Sequence, residues 1–373
     1  MPEGSPISYS STGVDYEKID PLKRMAQLTA RSTTGNLADL GFGEVEASRG
    51  ESAHVIDVGP FYLATVIEGL GTKNLVADAL RLTDGPSFYN NVAQDTVAMI
   101  VNDLITVGAR PLVVSAYWAA GSDDWFEDKR RMKDLAEGWA AACNKAGAIY
   151  GGGETPVLKG ITTSGIVDLA GAAVGIIQPK SRLTLGDKLT EGDRILLAPS
   201  SGIHANGLTL ARRIASNLPD GYNSRLSDNR TFGEALLEPT PIYAPLVKEL
   251  FDGGVDIHYM VNITGHGFRK LMRARQDFRY VLEKIPTPQA EFDFIRKHSR
   301  LSLEEMYGTF NMGAGFAFFV AEGSVDRAIE VAKGSQGIDL LNAGYVENSA
   351  KNSQEVFIKP LDIRFSDNSL GVR

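Results

Sequence analysis

The chain has 373 residues, of which 43% are hydrophobic and 23% charged, and it carries a formal net charge of −8. This composition is that of an ordinary folded protein and excludes a disordered or fibrous chain, while the length exceeds what one core usually organises and predicts two domains. The sequence contains no long basic run, which excludes the electrostatic pattern of a duplex-binding protein.

Cysteine usage and the N-terminal region bear on the cellular compartment. Cys143 is the only cysteine, so the chain cannot form an internal disulfide or a thiolate metal cluster. The first residues lack the charged-then-apolar order of a signal peptide. No apolar stretch approaches the roughly 18 residues needed to span a bilayer. We therefore expect a cytoplasmic protein with neither a membrane nor a nucleic acid as partner.

Apolar periodicity predicts alternating strands and helices in the first half of the chain. A polar N-terminal region contains one short helical segment at 21–30. Further helices are predicted at 94–107 and 126–146, the latter ended by Gly147. Strands are predicted at 54–58, 61–67, 112–118, 148–150 and 168–177.

The second half begins after a drop in apolar density at 178–192, which we interpret as a hinge. A strand is predicted at 194–198, an apolar run lies at 315–320, and helices are predicted at 206–217, 243–251 and 325–333, the last ended by Gly334. Such alternation indicates an α/β or α+β architecture. We place an N-terminal domain at residues 1–178 and a C-terminal domain at 179–373.

A glycine-rich turn, Glu68-Gly69-Leu70-Gly71-Thr72-Lys73, directly follows the strand predicted at 61–67. Its glycines allow the backbone to approach a ligand closely and to point N–H groups at it. Lys73 supplies a cation and Glu68 a carboxylate that could bind a metal. The spacing is not that of a P-loop, so an ordinary turn and a phosphate site both remain open.

The helix predicted at 94–107 carries a polar stripe formed by Asp95, Asn102 and Thr106 together with Met99, and Asp103 lies beside it. One interpretation is an amphipathic surface helix whose polar side faces water. The other is a magnesium site, because short Asp and Asn side chains are hard oxygen ligands and the stripe has no Lys, Arg or Glu. Both interpretations stay open.

Three consecutive glycines, Gly151 to Gly153, precede Glu154 and Thr155 at the end of the strand predicted at 148–150. Ordering glycines is entropically costly, so such a run is expected where the chain bends sharply or lies against something bulky. We expect a loop that presents the Glu154 carboxylate to a ligand. A plain sharp turn is the alternative.

The segment from Ser200 to Gly207 links the strand predicted at 194–198 to a helix. Hydroxyls, glycines and free N–H groups at a helix N-terminus can bind an anion, and His204 could donate to a phosphate or carry a proton. A histidine without a ligand role is the alternative. Two further Gly-rich loops, 262–267 and 310–315, allow the same two interpretations.

In this order, these segments resemble the cyclo-ligase family of the AIR synthetase superfamily, from Gly13 to about Val346. Glu68–Lys73 takes the place of the family's Asp-Gly-Val-Gly-Thr-Lys loop, and Ser200–Gly207 that of Ser-Ser-Gly-x-His-Ser-Asn-Gly. The matching positions elsewhere are Asp95, Ala98, Met99, Val101, Asn102, Asp103, Gly108, Ala109, Pro111 and Leu112; Gly152–Thr155; Asp168–Gly171; Leu237–Thr240; Ile263–Gly267; and Thr309–Gly315.

The resemblance implies a two-domain fold in which the N-terminal domains of a homodimer pair their sheets into a closed barrel. It also implies ATP-dependent closure of formylglycinamidine ribonucleotide to 5-aminoimidazole ribonucleotide in de novo purine biosynthesis, by phosphorylation of the formyl oxygen. The catalytic residues would be Lys73, Asp95 and His204. ATP would be bound by Glu68, Gly69, Gly71, Thr72, Lys73, Asp95, Asn102, Gly152, Gly153, Glu154 and Thr155. Mg²⁺ would be held by Glu68, Asp95, Asn102 and Glu154, with Asp103 as an alternative to Glu68.

Three positions depart from the family pattern. Glu68 replaces an Asp, His266 stands where Gly is commoner, and Thr155 is followed by Pro156-Val157-Leu158-Lys159-Gly160 instead of Ala-Glu-Met-Pro-Gly. The last change motivates an alternative, a phosphotransferase of the same superfamily that acts on another acceptor. A second alternative is a non-catalytic ATP-binding subunit, although clustered carboxylates are costly without a cation.

Overall fold

The computed structural model describes residues 16–81, 86–349 and 353–366, and the start of the family resemblance at Gly13–Asp15 lies outside them. Two sheets divide the described chain, one built from residues 43–177 and the other from 194–366. The expected mixed α/β architecture in two units is confirmed, and the boundary at 178/179 remains a prediction. Among the described residues, no helix is both long and apolar enough to cross a membrane.

The first sheet has six strands in the order β1-β2-β3-β6-β4-β5. Its neighbours are antiparallel except for the parallel pair β4 and β5. The strands are β1 Gly43–Glu44, β2 His54–Asp57, β3 Tyr62–Gly69, β4 Arg110–Ala120, β5 Ile149–Glu154 and β6 Val167–Ile177. The helices of this unit are α1 Tyr16–Ala30, α2 Asn74–Leu80, α3 Tyr89–Leu104 and α4 Lys129–Ala146.

One face of this sheet is covered by helices and the other is open. Helix α3 packs on β3 and β6, and α4 packs on α3 and β5. Trp139 and Cys143 of α4 are buried, as their helical spacing predicts. On the opposite face, Ile67 and Ile149 are 76% and 72% exposed. The sheet therefore has an apolar face that the described residues leave uncovered.

The second sheet has seven strands in the order β13-β12-β9-β11-β7-β10-β8, antiparallel except for β12 and β9. Its strands are β7 Arg194–Pro199, β8 Ile257–Asn262, β9 Phe278–Leu282, β10 Ala314–Val320, β11 Leu341–Asn348, β12 Glu355–Ile358 and β13 Ile363–Ser366. Its helices are α5 Leu208–Ser216, α6 Phe232–Leu236, α7 Ala244–Asp252, α8 Ala290–Ser299, α9 Leu303–Thr309 and α10 Val325–Gln336. Every side chain of β10 is buried, which matches its continuous apolar run.

Two local expectations are wrong. The final helix does not end at Gly334 but continues to Gln336, because Gly337 adopts the left-handed conformation (φ 64°) that closes it. Gly151 to Glu154 form the second half of β5 and not a loop. A Cβ on Gly153 would lie 2.0 Å from the Ala116 carbonyl oxygen, so close approach of β4 explains that glycine.

Candidate active site

The glycine-rich turn connects the end of β3 to the start of α2. Gly71 has a φ of 76°, and a Cβ there would meet no atom within 4 Å, so the turn is both left-handed and open to its surroundings. Gly69 and Gly71 are exposed, whereas Lys73 is fully buried. The backbone of this turn can therefore receive a ligand, and a Cβ at Gly71 would enter the space such a ligand needs.

Lys73 forms a buried ion pair with Asp95 of α3. The Lys73 Nζ lies 2.8 Å from Asp95 Oδ2, and both side chains are 0% exposed. Lys73 also donates a hydrogen bond of 2.8 Å to the Glu238 carbonyl oxygen. Burial raises the pKa of Asp95, while the Lys73 charge and hydrogen bonds from Thr240 oppose that rise. The ammonium is thus held inside the protomer between a carboxylate and a carbonyl.

The polar stripe of α3 is covered by the segment that precedes α7. Thr240 donates to Asp95 Oδ1 through both its backbone N–H, at 2.8 Å, and its hydroxyl. Asn102 accepts from the Tyr243 N–H at 2.9 Å and donates to the Pro241 carbonyl at 2.8 Å. Asp95, Asn102, Asp103 and Thr106 are all buried, so the interpretation of a solvent-facing polar side is wrong. Hydrogen bonds to the second unit explain this stripe.

A second polar cluster surrounds Asp103. Its Oδ1 accepts from the Asn262 side-chain amide at 2.7 Å, and its carboxyl group contacts that of Glu68. Burial, and next the Asp103 charge, raise the pKa of Glu68 to about 7. Lys270, 7% exposed, donates to the Thr264 hydroxyl at 2.7 Å, and its charge also acts on Glu68. Glu68 therefore lies with Asp103 and not with Asp95.

His204 lies in the loop that connects β7 to α5. It is 2% exposed, and burial followed by the Lys73 charge lowers its pKa to about 3. The Ser201 N–H points at its Nε2 at 3.4 Å, a contact that favours the neutral tautomer with its proton on Nδ1. Its φ of 59° is uncommon for a residue with a side chain, which indicates a backbone held by its surroundings.

The loop containing His204 contacts the other second-unit segments singled out from the sequence. Ser201 Oγ donates to the Pro239 carbonyl at 2.7 Å, and the Asn311 amide donates to the Gly202 carbonyl at 2.8 Å. Thr72 Oγ1 lies 3.5 Å from the hydroxyl of Thr209. The segments at 68–73, 95–106, 200–207, 237–243 and 309–315 thus converge on the Lys73–Asp95 pair, although they are up to about 240 positions apart in the chain.

Glu154 does not join this cluster within the protomer. In the sheet register, Gly69 aligns with Ala170, Ala170 with Tyr117, and Tyr117 with Glu154. Three strand spacings place Glu154 about 14 Å from Gly69. Glu154 and Thr155 are exposed, and Glu154 lies on the open face of the sheet, whereas Asp95 lies on the helix-covered side. Gly152, also exposed, has a φ of 85°.

The expected Mg²⁺ ligand set is not assembled in one protomer. Both side-chain atoms of Asn102 are already hydrogen-bonded, Glu68 contacts Asp103, and Glu154 is remote. Asp95 Oδ2 is occupied by the Lys73 ammonium at 2.8 Å and is therefore not free to bind a metal. No three His, Cys, Asp or Glu residues in the described ranges form a metal-binding group. The four side chains do not fit a divalent cation in this arrangement.

Sequence reasoning missed the roles of several residues of the site, although the motif series included Leu237–Thr240. Glu238 and Thr240 hold the Lys73–Asp95 pair, but a backbone carbonyl and a threonine give no sequence signal of such a role. Glu291 is 0% exposed, its Oε2 lies 3.1 Å from Arg230, and its Oε1 has no hydrogen-bond partner among the described residues. Burial raises the pKa of Glu291. A Cβ on Gly202 would lie 2.4 Å from its Oε1, so Glu291 lies beneath the His204 loop.

Both units of the chain match the family models of the AIR synthase related proteins. The model of the N-terminal domain of this class matches residues 50–177, and that of the C-terminal domain matches residues 190–356. Similar folds occur in the HypE-HypF complex (TM-score 0.60, 17% identity, 86% of this chain and 94% of that one) and in the hydrogenase maturation protein HypE in complex with ATP (TM-score 0.54, 17% identity, 83% and 84%).

Curated relatives narrow the class further. The phosphoribosylformylglycinamidine cyclo-ligase of Methanothermobacter thermautotrophicus is 34% identical over 87% of this chain and 91% of its own length. That of Methanococcus maripaludis is 32% identical over 94% and 95%. The chain belongs to the phosphoribosylformylglycinamidine cyclo-ligase family. The resemblance inferred from the sequence motifs is therefore confirmed.

Proposed function

We propose that this enzyme closes the imidazole ring of 5-aminoimidazole ribonucleotide from formylglycinamidine ribonucleotide at the expense of ATP. The observation that carries the proposal is the convergence of the Gly69–Thr72 turn, the Lys73–Asp95 pair and the His204 loop at one place. Family membership with near-complete coverage of curated cyclo-ligases supports the same reaction.

The chemistry requires a poor leaving group to become a good one. ATP transfers its γ-phosphoryl group to the formyl oxygen, an amidine-side nitrogen attacks the formyl carbon, and the carbon–oxygen bond breaks as phosphate leaves. No nucleophilic side chain is needed, so the protein acts by positioning reactants and by stabilising charge. Glycine backbone N–H groups at the Gly69–Thr72 turn are suited to the phosphates of the nucleotide.

The buried residues have positioning roles in this proposal. Lys73 is bound to Asp95 and Glu238, so its cation sets the electrostatic potential beside the turn and fixes the segment at 238–243. His204, whose pKa is about 3, is neutral at physiological pH and can offer its Nδ1 proton or accept at Nε2, but it cannot act as a cation. The side chains expected to bind Mg²⁺ do not converge in the protomer, so they have no metal-binding role in this proposal.

The open face of the first sheet is the proposed homodimer interface. Its apolar side chains Ile67, Leu112, Tyr117 and Ile149 are 38–76% exposed, an arrangement costly to leave in water. Glu154 lies on this same face, so a face-to-face dimer would enclose its carboxylate. Ile67→Arg is expected to convert the dimer to a monomer in size-exclusion chromatography with light scattering, and a wild-type monomer would contradict the interface.

The test of the proposed reaction is direct. Purified protein is given formylglycinamidine ribonucleotide, ATP and Mg²⁺, and ADP and 5-aminoimidazole ribonucleotide are measured. We expect the two products in equal amounts. Absence of the aminoimidazole, with ADP formation stimulated by a different acceptor, would favour a related phosphotransferase, which the altered sequence at 156–160 keeps as the second candidate.

A further inference from the structure

A pocket of about 260 Å³ lies between the two units, away from the candidate active site. The first unit contributes Gly108–Pro111 and the end of α4, the second contributes the first turns of α7, and Arg182 lies between them. Gly108 follows Asp95 by 13 positions, and at 1.5 Å per helical residue the pocket is about 20 Å from the Lys73–Asp95 pair. Junctions between domains are common places for small-molecule sites.

The walls of this pocket are apolar and include one aromatic ring. Ala146, Ala244 and Val247 line it and are buried, and Phe251 supplies the ring. The Arg182 guanidinium carbon lies 5.4 Å from the centre of the Phe251 ring. A flat ring inserted here would contact apolar side chains on both sides and could stack beneath the guanidinium.

Four cations surround the pocket, and its described lining residues include no acidic side chain. They are Arg110, Lys145, Arg182 and Lys248. Arg182 pairs with Asp252 at 2.5 Å, and Lys248 pairs with Glu249 at 3.0 Å and with Asp252 at 2.9 Å, so these two cations are balanced by two carboxylates. Lys145 contacts only the neutral Gln94 amide oxygen, at 2.6 Å, and Arg110 has no carboxylate within ion-pair distance in the described ranges. In a chain of net charge −8, this local excess of positive charge favours an anion.

We propose that this pocket is a second ligand site, which binds a small aromatic anion. The ring lies against Phe251 and the alanine walls, and the anionic group faces Arg110 and Lys145. A volume of 260 Å³ is below the roughly 300–1,000 Å³ of sites for drug-sized ligands, so the ligand carries a single ring and one carboxylate or phosphate group. A carboxylate and a phosphate group each present two oxygens that an arginine guanidinium can bind at the same time.

One chain segment connects this site to the candidate active site. Glu238 and Thr240 contact the Lys73–Asp95 pair, Pro241 and Tyr243 contact Asn102, and the next two residues, Ala244 and Pro245, line the pocket. A ligand that moves the start of α7 therefore acts on the segment that holds Lys73. We expect the occupied site to change the KM for ATP, a consequence that depends on the proposed function, whereas the binding itself does not.

Binding is measured by isothermal titration calorimetry with full-length protein and four probes. Phenyl phosphate and benzoate test the two anionic groups, cyclohexanecarboxylate tests the need for a flat ring, and inorganic phosphate tests the anion alone. We expect one of the two aromatic probes to bind measurably more tightly than both controls. Equal binding with and without a saturating non-hydrolysable ATP analogue and Mg²⁺ would place the probe outside the nucleotide site.

Variants locate the site. Arg110→Gln is expected to lower the affinity for the aromatic probe about tenfold, which is the effect of losing one charge-assisted hydrogen bond. Lys133→Gln, which removes a cation on the same unit outside the pocket, should leave affinity unchanged. Circular dichroism of both variants checks their folding. The proposal would be overturned if neither aromatic probe bound, or if Arg110→Gln and Lys133→Gln lowered the affinity for the probe equally. Binding without any change in KM for ATP would overturn the coupling.

Discussion

The buried Lys73–Asp95 pair makes a quantitative prediction about stability. Both side chains are 0% exposed and 2.8 Å apart, so replacing one of them leaves the other charge buried without its partner. Such a change costs about 3–5 kcal/mol. Lys73→Met and Asp95→Asn are each expected to lower the free energy of unfolding by that amount. In the double variant the free energy of unfolding should fall by about 2–3 kcal/mol less than the sum of the two single decreases, because no buried charge is left without a partner.

Urea denaturation followed by tryptophan fluorescence measures these changes, since Trp118, Trp125 and Trp139 all lie in the first unit. The control is the Lys133–Glu137 pair on α4, at 3.8 Å with both side chains about two-thirds exposed. Its coupling energy is expected to stay below about 0.5 kcal/mol. If the buried pair showed the same coupling as this surface pair, the assignment of a closed, desolvated ion pair would be refuted.

Three further substitutions have definite expected outcomes. Gly315→Ala places a Cβ 2.0 Å from the Tyr243 hydroxyl and should lower the free energy of unfolding by about 1–3 kcal/mol, measured by urea denaturation. The control is Gly323→Ala, whose Cβ would meet no atom within 4 Å and which should leave the free energy of unfolding unchanged. Relative to Glu68→Gln, the wild type should lose at most about 3 kcal/mol of stability as pH rises from 4.5 to 7, because the raised pKa of Glu68 makes the folded state hold a proton that the unfolded state releases. Glu154→Gln removes the charge of a side chain that is exposed in the protomer and that the proposed dimer would enclose, so turnover should fall; unchanged turnover would exclude Glu154 from the site.

The order of elements and the family were predictable from the sequence because they depend on local patterns. Apolar spacing located the helix that ends at Ala146 and the strand that ends at Ile177. The motif series also identified the Gly69–Lys73 turn and the His204 loop, which the fold brings together. These signals are carried by the residues themselves and need no knowledge of their partners.

The partners of the site were not predictable, because they are backbone groups or side chains distant in the chain. Nothing in the sequence indicates that Lys73 donates to the carbonyl of Glu238 or that Thr240 closes over Asp95. The polar face of α3 illustrates the difficulty: its Asp and Asn side chains suit either a metal or a polar interface, and only the position of the segment at 240–243 decides. The glycines at 151–153 similarly reflect close packing of β4 on β5.

The fate of the formyl oxygen tests the central claim most directly. Formylglycinamidine ribonucleotide labelled with ¹⁸O in its formyl group is converted with ATP by the purified enzyme, and the released phosphate is analysed by mass spectrometry. Phosphorylation of the formyl oxygen predicts one ¹⁸O atom in each phosphate formed, matched by one molecule of 5-aminoimidazole ribonucleotide. Unlabelled phosphate, or phosphate released without ring closure, would contradict the proposed reaction.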